Sequence, residues 1–218
     1  MLVRPIDADT DAEPLFAVSH LPEGDPTIWT YLPDGPYDSP EHLRGTLAWA
    51  SSLEDCVYFT LASLPDQQPL GMAAYLRIAP EVGVVEIGHV WFARRLRRTT
   101  AATEAIYLLA RHVFDDLGYR RLEWKCNALN AASRRAAERF GFTFEGVFRK
   151  HMVVKGRNRD TAWFSITDDE WSAIRGGFQA WLAPENFDSE GRQARALGDL
   201  IAEARLSSPR AAPAAGRG

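Results

Sequence analysis

Apolar positions along the chain recur with two periods, and the switches between them mark its elements. Between residues 100 and 117, Ala102, Ile106, Leu109, Val113 and Leu117 recur every three or four residues, the pattern of a helix with one apolar face. Gly118 follows, a residue type that ends helices because it enters the left-handed region freely. Ser39, Pro40 and Glu41 open another helix running to about Leu53: serine caps, proline fits the first turn, and the acid faces the positive end of the dipole. Runs rich in β-branched and aromatic residues predict strands at residues 56–63, 69–78, 84–92, 121–127, 142–154 and 161–166, after a short leading strand over 1–5. Further helices are expected over 11–21 (capped by Asp9, Thr10 or Asp11), 131–140, 168–182 and 193–205.

Antiparallel hairpins early in the chain, followed by strand–helix–strand units, predict an α/β fold, a mixed sheet with helices on both faces. One domain is expected over residues 1–166, followed by a helical extension over 167–206. Residues 207–218 are small and polar and are expected to be a disordered tail. Composition adds exclusions. A net charge of −4, from 25 Lys+Arg against 29 Asp+Glu, argues against a dedicated nucleic-acid binder. Cys56 and Cys126 lie far apart in apolar runs and are expected to be reduced core thiols. No cysteine–histidine cluster predicts a metal site. No signal peptide and no membrane-length apolar run is evident, so the expected compartment is the cytoplasm.

Chemistry concentrates at the junction of the 84–92 strand and the following helix, where Arg94, Arg95, Arg97 and Arg98 precede Thr99-Thr100-Ala101-Ala102-Thr103. Free N–H groups and the helix dipole make such a terminus an anion site, although four arginines also suit a solvated loop. A second basic stretch, Arg149, Lys150, His151, Lys155, Arg157 and Arg159, falls on the last hairpin. It reads as a solvated face, or as a recognition site for an acidic substrate or a nucleotide 3′-phosphate.

This strand–loop–helix, with Asn130-x-x-Ser133 and then Phe140-Gly141-Phe142, resembles the GNAT acyltransferases, in the branch typified by the ribosomal-protein N-terminal acetyltransferases RimJ and RimL. The resemblance covers residues 3–166. It implies a mostly antiparallel sheet splayed at its centre, acetyl-CoA as co-substrate and a primary amine, on a protein N-terminus or a small molecule, as acceptor. It admits a homodimer and implies no membrane partner. Pyrophosphate would lie on the N–H groups of residues 97–102, with Thr103 just behind. Pantetheine would pair with the backbone of Val90, Trp91 and Phe92 and with the Asn130 amide. The family loop carries a central glycine where this chain has Thr100, which puts close backbone approach in question and keeps a non-catalytic acyl-CoA sensor as an alternative. An RNA-associated protein is the weaker alternative. Glu86 and His89 are the base candidates; strict alternation sets them on opposite faces, and a bulge at Gly88 would bring both to one pocket. The helix over 131–140 has no tyrosine, so Ser133 is the candidate thiolate acid, unless it caps that helix instead. Trp29, Tyr31 and Trp163 are candidates for the acceptor wall, although Trp29 and Tyr31, on a Pro/Gly-rich loop, equally suit the cover of a core edge.

Overall fold

A computed structural model of the chain describes residues 1–207. Its strands are β1 Leu2–Pro5, β2 Val57–Ala62, β3 Pro69–Ala79, β4 Val84–Phe92, β5 Arg121–Asn127, β6 Thr143–Val154 and β7 Arg157–Thr167. They form one sheet in the order β1-β2-β3-β4-β5-β7-β6, antiparallel at every pairing except β4 with β5. That parallel ladder joins only Val84–Ile87 to Arg121–Trp124. Beyond it, residues 88–92 and 125–127 separate and the sheet opens.

Helices α1 Ala8–Ser19 and α2 Pro40–Ser51 cover one face, where Leu15, Leu43 and Leu47 pack on Met72, Ala74, Leu76 and Trp91. On the other face lie α3 Thr100–Arg111, α4 Ala131–Arg139, α5 Asp168–Leu182 and α6 Leu197–Ser207. Trp171, Ile174 and Phe178 of α5 and Leu197 and Ile201 of α6 share one core with Ile87, Ile106, Leu122 and Phe164. The C-terminal helices are therefore built into the main core.

Several boundaries differ from the sequence reading, each for a physical reason. Asp7, rather than Asp9, Thr10 or Asp11, caps α1, taking the amides of Asp9 and Thr10. Asp11 is buried and pairs with Arg4 at 2.5 Å while accepting from Thr60 Oγ1 at 2.7 Å. The periodic run after residue 100 leaves α-helical geometry at Arg111 and continues as a π-turn, His112–Asp116. β7 begins at Arg157 because its polar first half pairs with β6 in a hairpin. Gln193 bridges to Phe187, so α6 starts only at Leu197. The expected tail lies outside the described residues, apart from Ser207 at the end of α6.

Candidate active site

A cavity of about 810 Å³ fills the gap between the parted strands. Its walls come from residues 86–92 of β4, 124–127 of β5, Ser133 and Ala136 of α4, and Arg159 and Thr161 of β7, under a roof of Thr27, Ile28 and residues 30–33. Three register slips surround it, at Arg77 in β3, at His89–Val90 in β4 and at residues 149–151 in β6. Each carries a non-glycine residue with positive φ: Arg77 at 51°, His89 at 48° and Lys150 at 50°. Such bulges re-aim side chains beside functional sites. The β4 bulge falls one residue later than expected, and Glu86, Gly88 and His89 all line the cavity. Gly88 is confined: a Cβ there would lie 2.5 Å from Leu76 Cδ1 and 3.2 Å from Glu86 Oε1.

Glu86 is buried, accepting from Arg77 Nη1 at 2.5 Å with Lys125 Nζ at 3.0 Å. The pairing continues from Lys125 to Glu123 at 2.6 Å, and from Arg121 to Glu123 and Glu145. His89 shares a hydrogen bond of 3.2 Å between its Nδ1 and the Tyr58 hydroxyl. Burial lowers its pKa below the ordinary 6.5, which keeps the imidazole neutral at pH 7.

At the other end of the cleft, Thr99 caps α3: its Oγ1 accepts from the Ala102 amide at 3.2 Å and donates to the Leu96 carbonyl at 2.7 Å. Thr100 is the first helical residue, and the left-handed position of this loop is Arg98, at φ 60°. Thr100 therefore needs no unusual φ, the first of the two properties that glycine would supply there. The amides of Thr100 and Ala101 sit in the first turn, where no carbonyl within the helix reaches them. Ala101 is not among the residues that line either cavity. Arg97 is committed to the protein: it donates to the Phe92 carbonyl at 3.1 Å and to Asp25 at 2.6 Å. Arg94 donates to the Gly24 carbonyl, so this loop is braced rather than simply solvated. A second cavity of about 440 Å³ adjoins it, lined by Arg98, Thr99, Thr100, Ala102 and Thr103 and by Trp181, Phe187 and Gln193 of the C-terminal segment. Arg139 joins that wall, donating to Thr103 Oγ1 at 3.0 Å and lying over the Trp181 ring.

Asn130, not Ser133, caps α4: its Oδ1 accepts from the Ser133 amide at 3.0 Å. Its Nδ2 stays available to a ligand. Ser133 Oγ accepts from Trp124 Nε1 at 2.9 Å and lines the cavity, which leaves its own hydrogen for an acceptor there. Tyr31 lines the roof and donates to the Leu129 carbonyl across the cleft mouth at 3.2 Å. Trp29 and Trp163 do not line the cavity. Trp29 is buried behind the roof beside Tyr37 and Trp91, and Trp163 lies under Lys125, its ring tilted against Phe148. Sequence reasoning missed Arg77, Lys125, Tyr58 and Arg139. A signal existed for Lys125, because Arg121, Glu123, Lys125 and Asn127 alternate with apolar Leu122, Trp124 and Cys126.

Adjoining cavities with a helix N-terminus at one end and a titratable cluster at the other suit a group transferase. The chain belongs to the GNAT acetyltransferases: the family model described as the acetyltransferase (GNAT) domain matches residues 1–143. A crystal structure of a GCN5-related N-acetyltransferase from Brucella melitensis superposes with a TM-score of 0.87 at 46% identity, covering 92% of this chain and 90% of that one. A GNAT-family structure from Chromobacterium violaceum ATCC 12472 gives 0.74 at 43% identity, over 78% of this chain and 84% of the other. YdaF of Bacillus subtilis (strain 168), which bears the name of a ribosomal N-acetyltransferase, is 26% identical over 145 residues, 66% of this chain and 78% of its own length.

Proposed function

We propose that this protein transfers acetyl from acetyl-CoA to a primary amine by direct attack in a ternary complex. The observation that carries the reading is the pair of adjoining cavities, sharing Phe92, Arg97 and Arg98, that lead from the capped start of α3 to the Glu86–His89 chamber. The donor supplies an acyl group on a thiolate leaving group. Free amides at the start of α3, with Arg98 beside them, hold its pyrophosphate. The unpaired edge of β4 at Val90, Trp91 and Phe92 pairs with the pantetheine amides, and Asn130 Nδ2 adds a donor. Around the bulge, a backbone N–H released from the ladder is a donor for the carbonyl oxygen as charge develops on it.

The amine nitrogen forms a bond to the carbonyl carbon as the carbon–sulfur bond breaks. His89, neutral through burial, takes the amine proton, and the Ser133 hydroxyl protonates the departing sulfur. Glu86, held by two cations, fixes the field of the chamber rather than moving a proton. The acceptor is a protein N-terminus or a small amine. The name borne by the Bacillus relative favours the RimJ/RimL-like branch and a cytoplasmic setting.

The test is acetyl-CoA-dependent release of free thiol, matched one to one by acetylated amine across an amine panel. Acetyl-CoA at a hundred dissociation constants is expected to stabilise the fold by ~2.7 kcal/mol. Absence of any stabilisation overturns donor binding. Stabilisation without thiol release on any amine favours an acyl-CoA sensor.

A further inference from the structure

Most charges in the acceptor half of the cleft balance. Arg77, Lys125 and Arg121 pair with Glu86, Glu123 and Glu145. Arg159 stands outside this network. It projects from β7 into the cavity, its Nε donates to Thr161 Oγ1 at 3.2 Å, and no carboxylate among the described residues pairs with it. Burial lowers its pKa, and the more distant Glu86 charge offsets this only in part. A guanidinium does not lose its proton in a protein, so the cost of burying this one is left standing.

Its position selects what could offset that cost. Arg159 lies within electrostatic range of Glu86, Arg77 and His89, at the chamber end rather than at the start of α3. It stands opposite Met152 in the hairpin ladder, where the bulge of β6 also brings His151 onto Thr161 at 2.9 Å. Glu86 is the one acidic residue among those lining the cavity, and two cations already hold it. With Nε taken by Thr161, the terminal nitrogens of Arg159 remain as donors, the arrangement that grips a carboxylate. A polyamine would bring further positive charge to this chamber.

We propose that Arg159 reads a carboxylate on the acceptor, so that the acceptor is a primary amine carrying an acidic group close to the nitrogen. This deepens the transferase reading and rests on it. Free amino acids and N-terminal peptides with an early Asp or Glu are the two sources of that chemistry.

Matched pairs separate them: amino acids against their carboxamides, and tripeptides with Asp or Glu at the second position against Asn or Gln. The acidic member of at least one series is expected to show at least tenfold higher kcat/KM, with spermidine poorer still. Arg159→Gln should bring the acidic-to-neutral ratio close to one. Arg159→Lys, which keeps the charge without the fork, should retain an intermediate ratio. Both variants should bind acetyl-CoA within twofold of the parent, a readout that also reports folding. Equal rates within every pair, preference for spermidine, or an unchanged ratio in Arg159→Gln overturns the proposal. So does loss of acetyl-CoA affinity in both variants, which would place the donor's phosphate on Arg159. Turnover of no amine at all, with acetyl-CoA still bound, overturns the transferase reading itself.

Discussion

The start of α3 makes a paired prediction about which residue shapes the donor site. Thr100 has helical geometry at the first position of α3, whereas Arg98 holds the left-handed conformation at φ 60°. Thr100→Gly therefore gives the loop nothing it lacks. It weakens the first turn by about 0.5 kcal/mol through lost helix propensity, and acetyl-CoA affinity should stay within about twofold. Arg98→Gly behaves oppositely. Release of the left-handed strain gains about 1 kcal/mol, and the extra freedom of glycine in the unfolded chain returns about 0.5–1 kcal/mol. Net stability should therefore barely change. The lost charge is exposed beside the helix terminus, so in low salt it should cost about 1 kcal/mol of affinity, near fivefold. At ~1 M salt, where the Debye length is ~3 Å, that difference should vanish. Calorimetric titration of acetyl-CoA at two ionic strengths, with thermal melts of each variant, reads every term. Binding tightened tenfold by Thr100→Gly would refute the reasoning, because it would mean that backbone approach at Thr100 limits the site.

Three further predictions concern the chamber. Ser133→Ala should lower kcat by at least about tenfold, the low side of general-acid effects, with acetyl-CoA affinity within twofold. It should also lower stability by about 1–2 kcal/mol, because the buried Trp124 N–H loses its acceptor; equal losses of kcat and affinity would assign the hydroxyl to binding. Glu86→Gln breaks a pair whose side chains are 5% and 6% exposed, but Lys125 keeps Glu123, so the cost should be about 2 kcal/mol. That corresponds to about 4–8 °C in Tm, and an unchanged Tm would show the pair to be worth nothing. His89 titrates below its ordinary 6.5 because the fold prefers its neutral form, so its stabilising contribution is intact above pH 6.5 and is lost as pH falls toward the lowered value. The acidic limb of kcat/KM should accordingly have a midpoint below pH 6.5 and disappear in His89→Gln; a midpoint above 6.5 would exclude His89 as the base.

Where local chemistry determined the structure, the sequence was readable. Ser39 with Pro40 fixed the start of α2, Val84–Phe92 and Arg121–Asn127 form the strands expected, and Thr167 forms a capping box with Glu170 before α5. The misreadings arose where tertiary partners override local preference. Asp11 reads as a cap but is drawn inward by Arg4 and Thr60. Trp29, which suits a pocket wall or a core cover equally, fills the core under the roof loop. The β4 bulge, expected at Gly88, falls one residue later, whereas no glycine marks those at Arg77 and Lys150, and all three decide which side chains enter the cavity. Arg159 was visible only as one member of a basic hairpin. Its isolation from carboxylates is a property of the assembled sheet.

The short ladder between β4 and β5 also has a mechanical meaning. With backbone pairing confined to Val84–Ile87 and Arg121–Trp124, the sheet is two plates joined along a narrow seam. Two clasps span the open side: Tyr31 to the Leu129 carbonyl, and Lys155 Nζ to the carbonyls of Trp29 at 2.8 Å and Asp34 at 3.0 Å. A molecule large enough to push the jaws apart must undo those bonds first, so the roof loop sets how bulky an incoming partner can be.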